Sequence, residues 1–406
     1  MTKIKVLFFH PDNFLGPEMT VYTQIVRHLD RVRFIPYVAI NSTADGVFDK
    51  GEEDGLNIRR RNLGQPWRLS LRARFNSLRY LPASMFSLIR YARRESIDVV
   101  HCSAVPRHGT LGMILARLTG AKLLLHYHVL PGRYAGVRRF LEHSVARRAD
   151  GAVAVSSFLA QKVPRFGFSS DQVHVVLNGV DTNRFSPSVD GSAIRQEFGI
   201  EADAPLILQL GRIQQKKRQE DTVRAFAIAR HKVPGLRCLL VGWNDDRYQG
   251  QFGSYKAELE RISELERLGD SLIIAAPRPD APQLIAAADI VVMPSLDEAF
   301  GLVIAEAMAT GKPVIGADSG GIPEVIVDNL TGFLVPPRAP EALAEKIVLL
   351  AEDANLRAQM GRAARLRAEA CLDEAHLAAD LAPVYEALAN RNSERDVRRL
   401  SMMRIQ

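Results

Sequence analysis

Glu298 and Glu306 stand with seven residues between them in the run PSLDEAFGLVIAEAMATGKPVIGADSGGIPEV, residues 294–325. The apolar run from Ile290 to Met293 has strand character, and the pattern after it predicts a tight loop carrying Glu298, then a helix beginning near Gly301. An anion there meets unpaired backbone N–H groups and the positive end of the helix dipole. Gly311 to Pro313 stop the helix, Val314 to Ala317 read as another strand, and Ser319, Gly320 and Gly321 form a loop whose backbone can approach a ligand closely. Arg212 and Lys217 lie just past the apolar run that starts at Pro205, in LGRIQQKKR (210–218). There the planar fork of an arginine and the point charge of a lysine suit phosphate oxygens and charge that develops as a bond breaks. His126 and His128 both follow a strand of the N-terminal half, so one of them can point towards a ligand.

These residues need strands that end at one edge, and the chain supplies them twice. Strand-like runs recur at Lys3 to His10, Phe34 to Ile40, Val99 to Cys102, Leu123 to His126, Gly151 to Val155 and Val173 to Val176, with helical stretches between several of them. Alternation at this spacing predicts parallel α/β units. A second set starts at Pro205 and continues through Leu236 to Val241, Leu272 to Ile274 and Ile290 to Met293, ending near Leu334. The expected organisation is an N-terminal Rossmann-like domain over residues 1–188 and a second Rossmann-like domain over 189–372. A helix over 373–390 should cross back to the first domain, and 391–406 should be a disordered charged tail. Two such domains facing each other leave a deep cleft between the carboxyl ends of their sheets, and Gly16 and Glu298 are expected to meet across it.

The 406 residues suit two domains, and the net charge of +7 hides an asymmetry. Residues 1–188 carry 27 Lys and Arg against 14 Asp and Glu, a net +13, whereas residues 189–406 carry 26 against 32, a net −6. The basic half is therefore expected to face something anionic. Cys102, Cys238 and Cys371 match no metal-ligand spacing and read as reduced thiols. No apolar run reaches about 18 residues and no signal-peptide pattern opens the chain, which points to the cytoplasm.

The chain resembles the retaining GT-B glycosyltransferases of family 4. The resemblance rests on EAFGLVIAEAMATGKPVI (298–315), GGIPEV (320–325), TGFLVPP (331–337), LGRIQQKKR (210–218) and LNGVDTNRFSP (177–187), and less strongly on IDVVHCSA (97–104) and HYHVLP (126–131). It implies a nucleotide-sugar donor (a UDP, GDP or ADP sugar), retention of configuration by front-face attack, and no cofactor. Arg212 and Lys217 would hold the diphosphate, Glu306 the ribose hydroxyls and Glu298 the transferred sugar. The N–H groups of Phe300, Gly301, Leu302 and Val303 would meet phosphate and sugar. Of the two histidines, the match selects His128 for the donor sugar or the nearby backbone. Gly16 would be the substrate-facing glycine after the first strand, and Arg278, within Pro277 to Asp280, would flank the base pocket together with Trp243 to Asp246. Three positions depart from the family pattern: Gly16 is followed by Pro17 where a Gly-Gly pair is common, Lys217-Arg218 replaces Lys-Gly, and Ala276 replaces a glycine. No Asp-x-Asp pair exists to bridge a metal to a diphosphate.

The segment from Leu56 to Arg94 contains ten arginines and no acidic residue. Trp67, Leu71, Phe75 and Leu78 form a helical stripe, Pro82 is expected to reset the helix, and Met85, Phe86 and Ile89 to continue an apolar face. Arg59 to Arg94 thus suits an anionic membrane surface, on the inner face of the plasma membrane, with a glycan or lipid-linked acceptor in polysaccharide or glycolipid biosynthesis. Packing of the stripe on the sheet with solvated arginines is the other reading. Nucleic acid is not expected, because no aromatic stacking platform accompanies the charge. A sugar-nucleotide epimerase on the same scaffold and a non-catalytic sugar-nucleotide-binding protein are the alternatives.

Overall fold

The computed structural model describes residues 2–12, 17–42, 56–63, 71–132, 135–244 and 254–390, without the side chains of residues 17 and 71–79. In chain order the strands are β1 (Ile4–His10), β2 (Phe34–Asn41), β3 (Asn57–Arg61), β4 (Val99–Ser103), β5 (Lys122–Tyr127), β6 (Gly151–Ala154), β7 (Val173–Val175), β8 (Leu206–Leu210), β9 (Arg237–Val241), β10 (Leu272–Ala275), β11 (Ile290–Met293), β12 (Val314–Ala317) and β13 (Gly332–Val335). The longer helices are α1 (Pro17–His28), α2 (Leu71–Arg94), α3 (Pro106–Thr119), α4 (Gly136–Ala146), α5 (Gln219–Arg230), α6 (Tyr255–Leu265), α7 (Ala281–Ala287), α8 (Leu302–Ala309), α9 (Pro340–Glu352), α10 (Ala354–Arg367) and α11 (Glu374–Ala389). Among the described residues no helix is long and apolar enough to cross a membrane.

The chain forms two compact units, residues 1–178 with 374–406, and residues 179–373. The first boundary falls ten residues before the expected 188, because Val180 bridges to Asp373 and donates its N–H to the Leu372 carbonyl at 2.7 Å, within the second unit.

The first unit is a parallel sheet in the order β3-β2-β1-β4-β5-β6-β7. Runs such as VLFF in β1 are buried throughout, as strands covered on both faces require. α11 completes this core: Leu377, Leu381, Val384 and Tyr385 pack with Phe8, Tyr22, Phe34 and Val153. Its first residue, Glu374, accepts from Arg27 at 3.0 Å and pairs with His28 at 2.7 Å, close to the positive N-terminus of the helix.

The basic segment differs from its sequence reading in three ways. Asn57–Arg61 forms the edge strand β3, which alternation missed because only Ile58 of NIRRR is buried. Arginines are what an edge strand carries on its open side. α2 runs through Pro82 without ending, and Phe86 points to solvent at 67% exposure, leaving Met85, Leu88 and Ala92 as the buried positions. Trp67 lies outside the described residues, as do Gly16, Asp245 and Asp246 and the whole charged tail over 391–406.

The second unit is a parallel sheet in the order β10-β9-β8-β11-β12-β13. Its core joins Ile207, Cys238, Leu240, Val292 and Ile315 from the strands to Phe226 of α5 and Leu343, Ile347 and Leu350 of α9. The strand order reverses between β8 and β11. In an open α/β sheet the crevice outside the strand ends at such a reversal is where a ligand fits.

Candidate active site

β8 ends at Leu210, and the loop after it carries Arg212 and Lys217; β11 ends at Met293, and the loop after it carries Glu298. The reversal thus brings together residues 81 apart in sequence: Lys217 Nζ lies 2.5 Å from Glu298 Oε2, with both side chains largely buried. Backbone contacts fix the two loops to each other and to the loop after β12. Leu296 N–H donates to the Lys216 carbonyl at 2.9 Å, Asp297 N–H to Ser319 Oγ at 3.0 Å, and Gly321 N–H to the Glu298 carbonyl at 2.8 Å. Gly320 permits this closeness; it has φ +68°, and a Cβ there would lie 2.4 Å from the Glu298 carbonyl oxygen.

Burial pushes the Glu298 carboxyl up, but the Lys217 ammonium and its hydrogen bond outweigh that, so the group sits below the ordinary carboxylate range. Glu306, in the second turn of α8, behaves in the opposite way. Burial raises it to about 7, and Arg184 opposes this only in part. Gly301, at φ +95°, opens α8, so Leu302 and Val303 occupy the first turn, whose N–H groups have no intrahelical acceptor. Phe300 is buried just before it.

Arg212 is exposed at the start of its loop. Arg218 takes φ +54°, the left-handed conformation a glycine would adopt freely, and its guanidinium holds both carboxylate oxygens of Asp221, at 2.8 and 2.6 Å. The departure from Lys-Gly therefore keeps the backbone shape. Arg278 is engaged elsewhere: it donates to both oxygens of Asp280, pairs with Glu197 and stacks on Phe198. Its partner Asp280 lines an open groove with Arg184, Val189, Pro279, Pro282 and Gln283, which neither Lys217 nor Glu298 borders.

In the first unit, β4 and β5 bring histidines into a buried row. His101 Nδ1 meets the Tyr385 hydroxyl at 2.7 Å, His101 Nε2 meets His126 Nδ1 at 3.1 Å, and the rings of His126 and His128 lie 3.9 Å apart. Burial, followed by His128 beside it, lowers His101 to about 3; burial and then His108 lower His128 to about 3; His126 lies well below its ordinary value for the first of these reasons. The row is uncharged at neutral pH. Nε2 of His126 and of His128 and Oε2 of Glu142 are buried without hydrogen-bond partners, and all three residues line one small recess with Ser103. Glu142, raised by burial and holding the Gly132 N–H at 3.1 Å, escaped the sequence reading because it looks like an ordinary helix carboxylate. Among the described residues no group of three or more His, Cys, Asp or Glu could hold a metal ion.

Two parallel α/β units, one with a cationic loop against a carboxylate at its strand reversal, define the GT-B class. Family models agree: Glycosyltransferase Family 4 matches residues 20–184 and Glycosyl transferases group 1 matches residues 190–367. A D-inositol 3-phosphate glycosyltransferase of Pseudarthrobacter chlorophenolicus is 32% identical over 308 residues, 70% of this chain and 71% of that protein. The chain belongs to glycosyltransferase family 4. A protein of the same name from Streptomyces avermitilis is 36% identical over 260 residues, which is 63% of this chain and 55% of the relative, so the match spans about half that protein's length. Among solved structures, Anabaena HepE in complex with UDP and glucose superposes with a TM-score of 0.77 at 25% identity, covering 95% of this chain and 100% of the other.

Proposed function

We propose that the protein is a retaining glycosyltransferase that moves a sugar from a nucleoside-diphosphate sugar to a glycan or lipid-linked acceptor, without a metal ion. The observation that carries this reading is the Lys217–Glu298 pair at the strand reversal of the second sheet, beside the exposed Arg212. Arg212 and Lys217 hold the diphosphate and neutralise the charge that builds on it as the glycosidic bond breaks, the role a divalent ion plays elsewhere. The first N–H groups of α8, from Phe300 to Val303, add to this. Glu298 accepts hydroxyls of the transferred sugar, and ionised Glu306 accepts the two ribose hydroxyls. The acceptor hydroxyl attacks the face the leaving group departs from, and the leaving phosphate takes its proton, which gives retention without a second carboxylate nucleophile. HepE, solved with UDP and glucose, supports a UDP sugar among the candidate donors.

The first unit is the acceptor side in this reading. The unpartnered Nε2 atoms of His126 and His128 suit hydroxyl groups. An anionic membrane surface, on the cytoplasmic side, is met by Arg59, Arg60, Arg61, Arg90, Arg93 and Arg94, with Phe86 exposed among them.

Incubation with UDP-, GDP- and ADP-glucose and the corresponding diphosphates, read by calorimetry and by proton NMR of the product anomer, tests the reading. Binding of one nucleoside diphosphate and a product of unchanged anomeric configuration are expected. Inverted product would end the retaining assignment, and a failure of every nucleotide to bind would end the donor site. Sedimentation with phosphatidylglycerol vesicles at low salt should pellet the protein; its absence from the pellet would remove the membrane contact.

A further inference from the structure

Gln209 interrupts the apolar strand β8 (LILQL), yet it is only 2% exposed. An amide buried in a parallel strand needs partners for both its oxygen and its nitrogen. Gln209 finds them on the loop above and the helix beyond. Its Nε2 donates to the Lys217 carbonyl at 2.8 Å, and its Oε1 accepts from Thr222 Oγ1 of α5 at 2.7 Å. The amide has one workable orientation, because flipping it would set Oε1 against the Lys217 carbonyl. A second buried amide, Gln219 at the start of α5, donates from Nε2 to the Arg212 carbonyl at 2.9 Å. The two residues proposed to hold the diphosphate are thus each gripped by the main-chain carbonyl, one by each glutamine.

We infer that Gln209, oriented by Thr222, is a positioning residue that sets Lys217 for a nucleoside diphosphate, and that Gln219 does the same for Arg212; this rests on the donor site proposed above. Neither glutamine touches the ligand. Each acts by fixing where the neighbouring cation begins, so that binding does not have to order the loop.

The test is calorimetric titration of UDP, GDP and ADP into wild type, Gln209→Met, Gln209→Glu, Thr222→Val and Lys217→Ala, each at a temperature where its melting curve shows it folded. Gln209→Met keeps the volume and loses the donor, so affinity for the nucleotide that binds wild type should fall about tenfold, the scale of one lost hydrogen bond. Gln209→Glu carries the sharper readout. Its protonated carboxyl can still donate to the Lys217 carbonyl, so binding should lie near wild type at pH 5.5 and weaken as the pH rises and the carboxylate forms against that carbonyl. A group that merely fills space would not produce this profile. If Gln209→Met does not fold, Thr222→Val keeps the amide and removes its orienting hydroxyl, with the same direction expected. Wild-type affinity in the Gln209 and Thr222 variants at every pH, with Lys217→Ala clearly weakened, would overturn the inference alone. No loss in Lys217→Ala, or no nucleotide bound by wild type, would instead overturn the donor site.

Discussion

At the carboxyl edge of the second sheet an ammonium and a carboxylate face each other at 2.5 Å; at the same edge of the first sheet a row of imidazoles carries no charge. Bulk composition points the other way. Residues 1–188 hold a net +13 and residues 189–406 a net −6. The acidic half places Arg212 and Lys217 at its strand ends, while in the basic half Arg59 and Arg61 of β3, Arg90, Arg93 and Arg94 of α2 and Arg138 and Arg139 of α4 face solvent, and Arg107, just after β4, is neutralised by an ion pair with Asp12. The lesson is one of scale. Net charge sets the long-range field, but the chemistry at a strand reversal depends on a few side chains and on how deeply each is buried.

The contrast can be tested from its strongest consequence to its weakest. Lys217→Ala should lower kcat/KM for transfer about 10²- to 10³-fold, as loss of a donor aimed at developing charge does. His128→Ala should cost less; a larger loss there would invert the comparison. Next comes pH. Glu306 titrates near 7 when folded against an ordinary value of 4.5, so the folded state keeps a proton the unfolded chain has given up. Stability should therefore decline as pH rises from about 4.5 to 7, by at most about 3 kcal/mol, and level off above. Melting curves of Glu306→Gln should lose that slope. Nucleotide affinity should run the other way, rising through pH 7 as the carboxylate forms. No ionisation from His101, His126 or His128 should appear between pH 5 and 8 in an NMR titration of the ring protons.

Smaller effects are expected in the supports. Tyr385→Phe removes the hydroxyl partner of His101 and should cost about 1 kcal/mol in urea unfolding, leaving the affinity for whichever nucleoside diphosphate binds the wild type unchanged. Arg218→Gly exchanges a left-handed backbone penalty of roughly 1 kcal/mol for loss of the Asp221 pairing. Its melting temperature should move by only a few degrees in either direction.

The strands and the Glu298 loop were legible in the sequence because parallel, doubly covered strands are near-continuous apolar runs and the loops after them are rich in glycine. What could not be read is what depends on through-space partners. Nothing in LGRIQQKKR reveals that Lys217 meets Glu298 and not solvent, or that Arg278 is consumed by Asp280 and Glu197. The segment NIRRR has no strand pattern because a strand at a sheet edge buries only one side chain here. Pro82 reads as a break, yet tertiary packing of Met85, Leu88 and Ala92 carries α2 through it. Gln209 is visible as a polar residue in an apolar run, and that oddity was the one available sign of its two buried hydrogen bonds.

The last described helix has a bearing on how the molecule is made. Leu377, Leu381 and Tyr385 fill the core beneath β1, but they are translated only after the whole of residues 179–373. Until then β1 and α1 have an apolar face with no cover, while the second unit has every residue it requires. Vectorial synthesis thus favours completion of the second unit first, and a nascent chain paused before Glu374 exposes a surface for which a chaperone is the natural temporary partner.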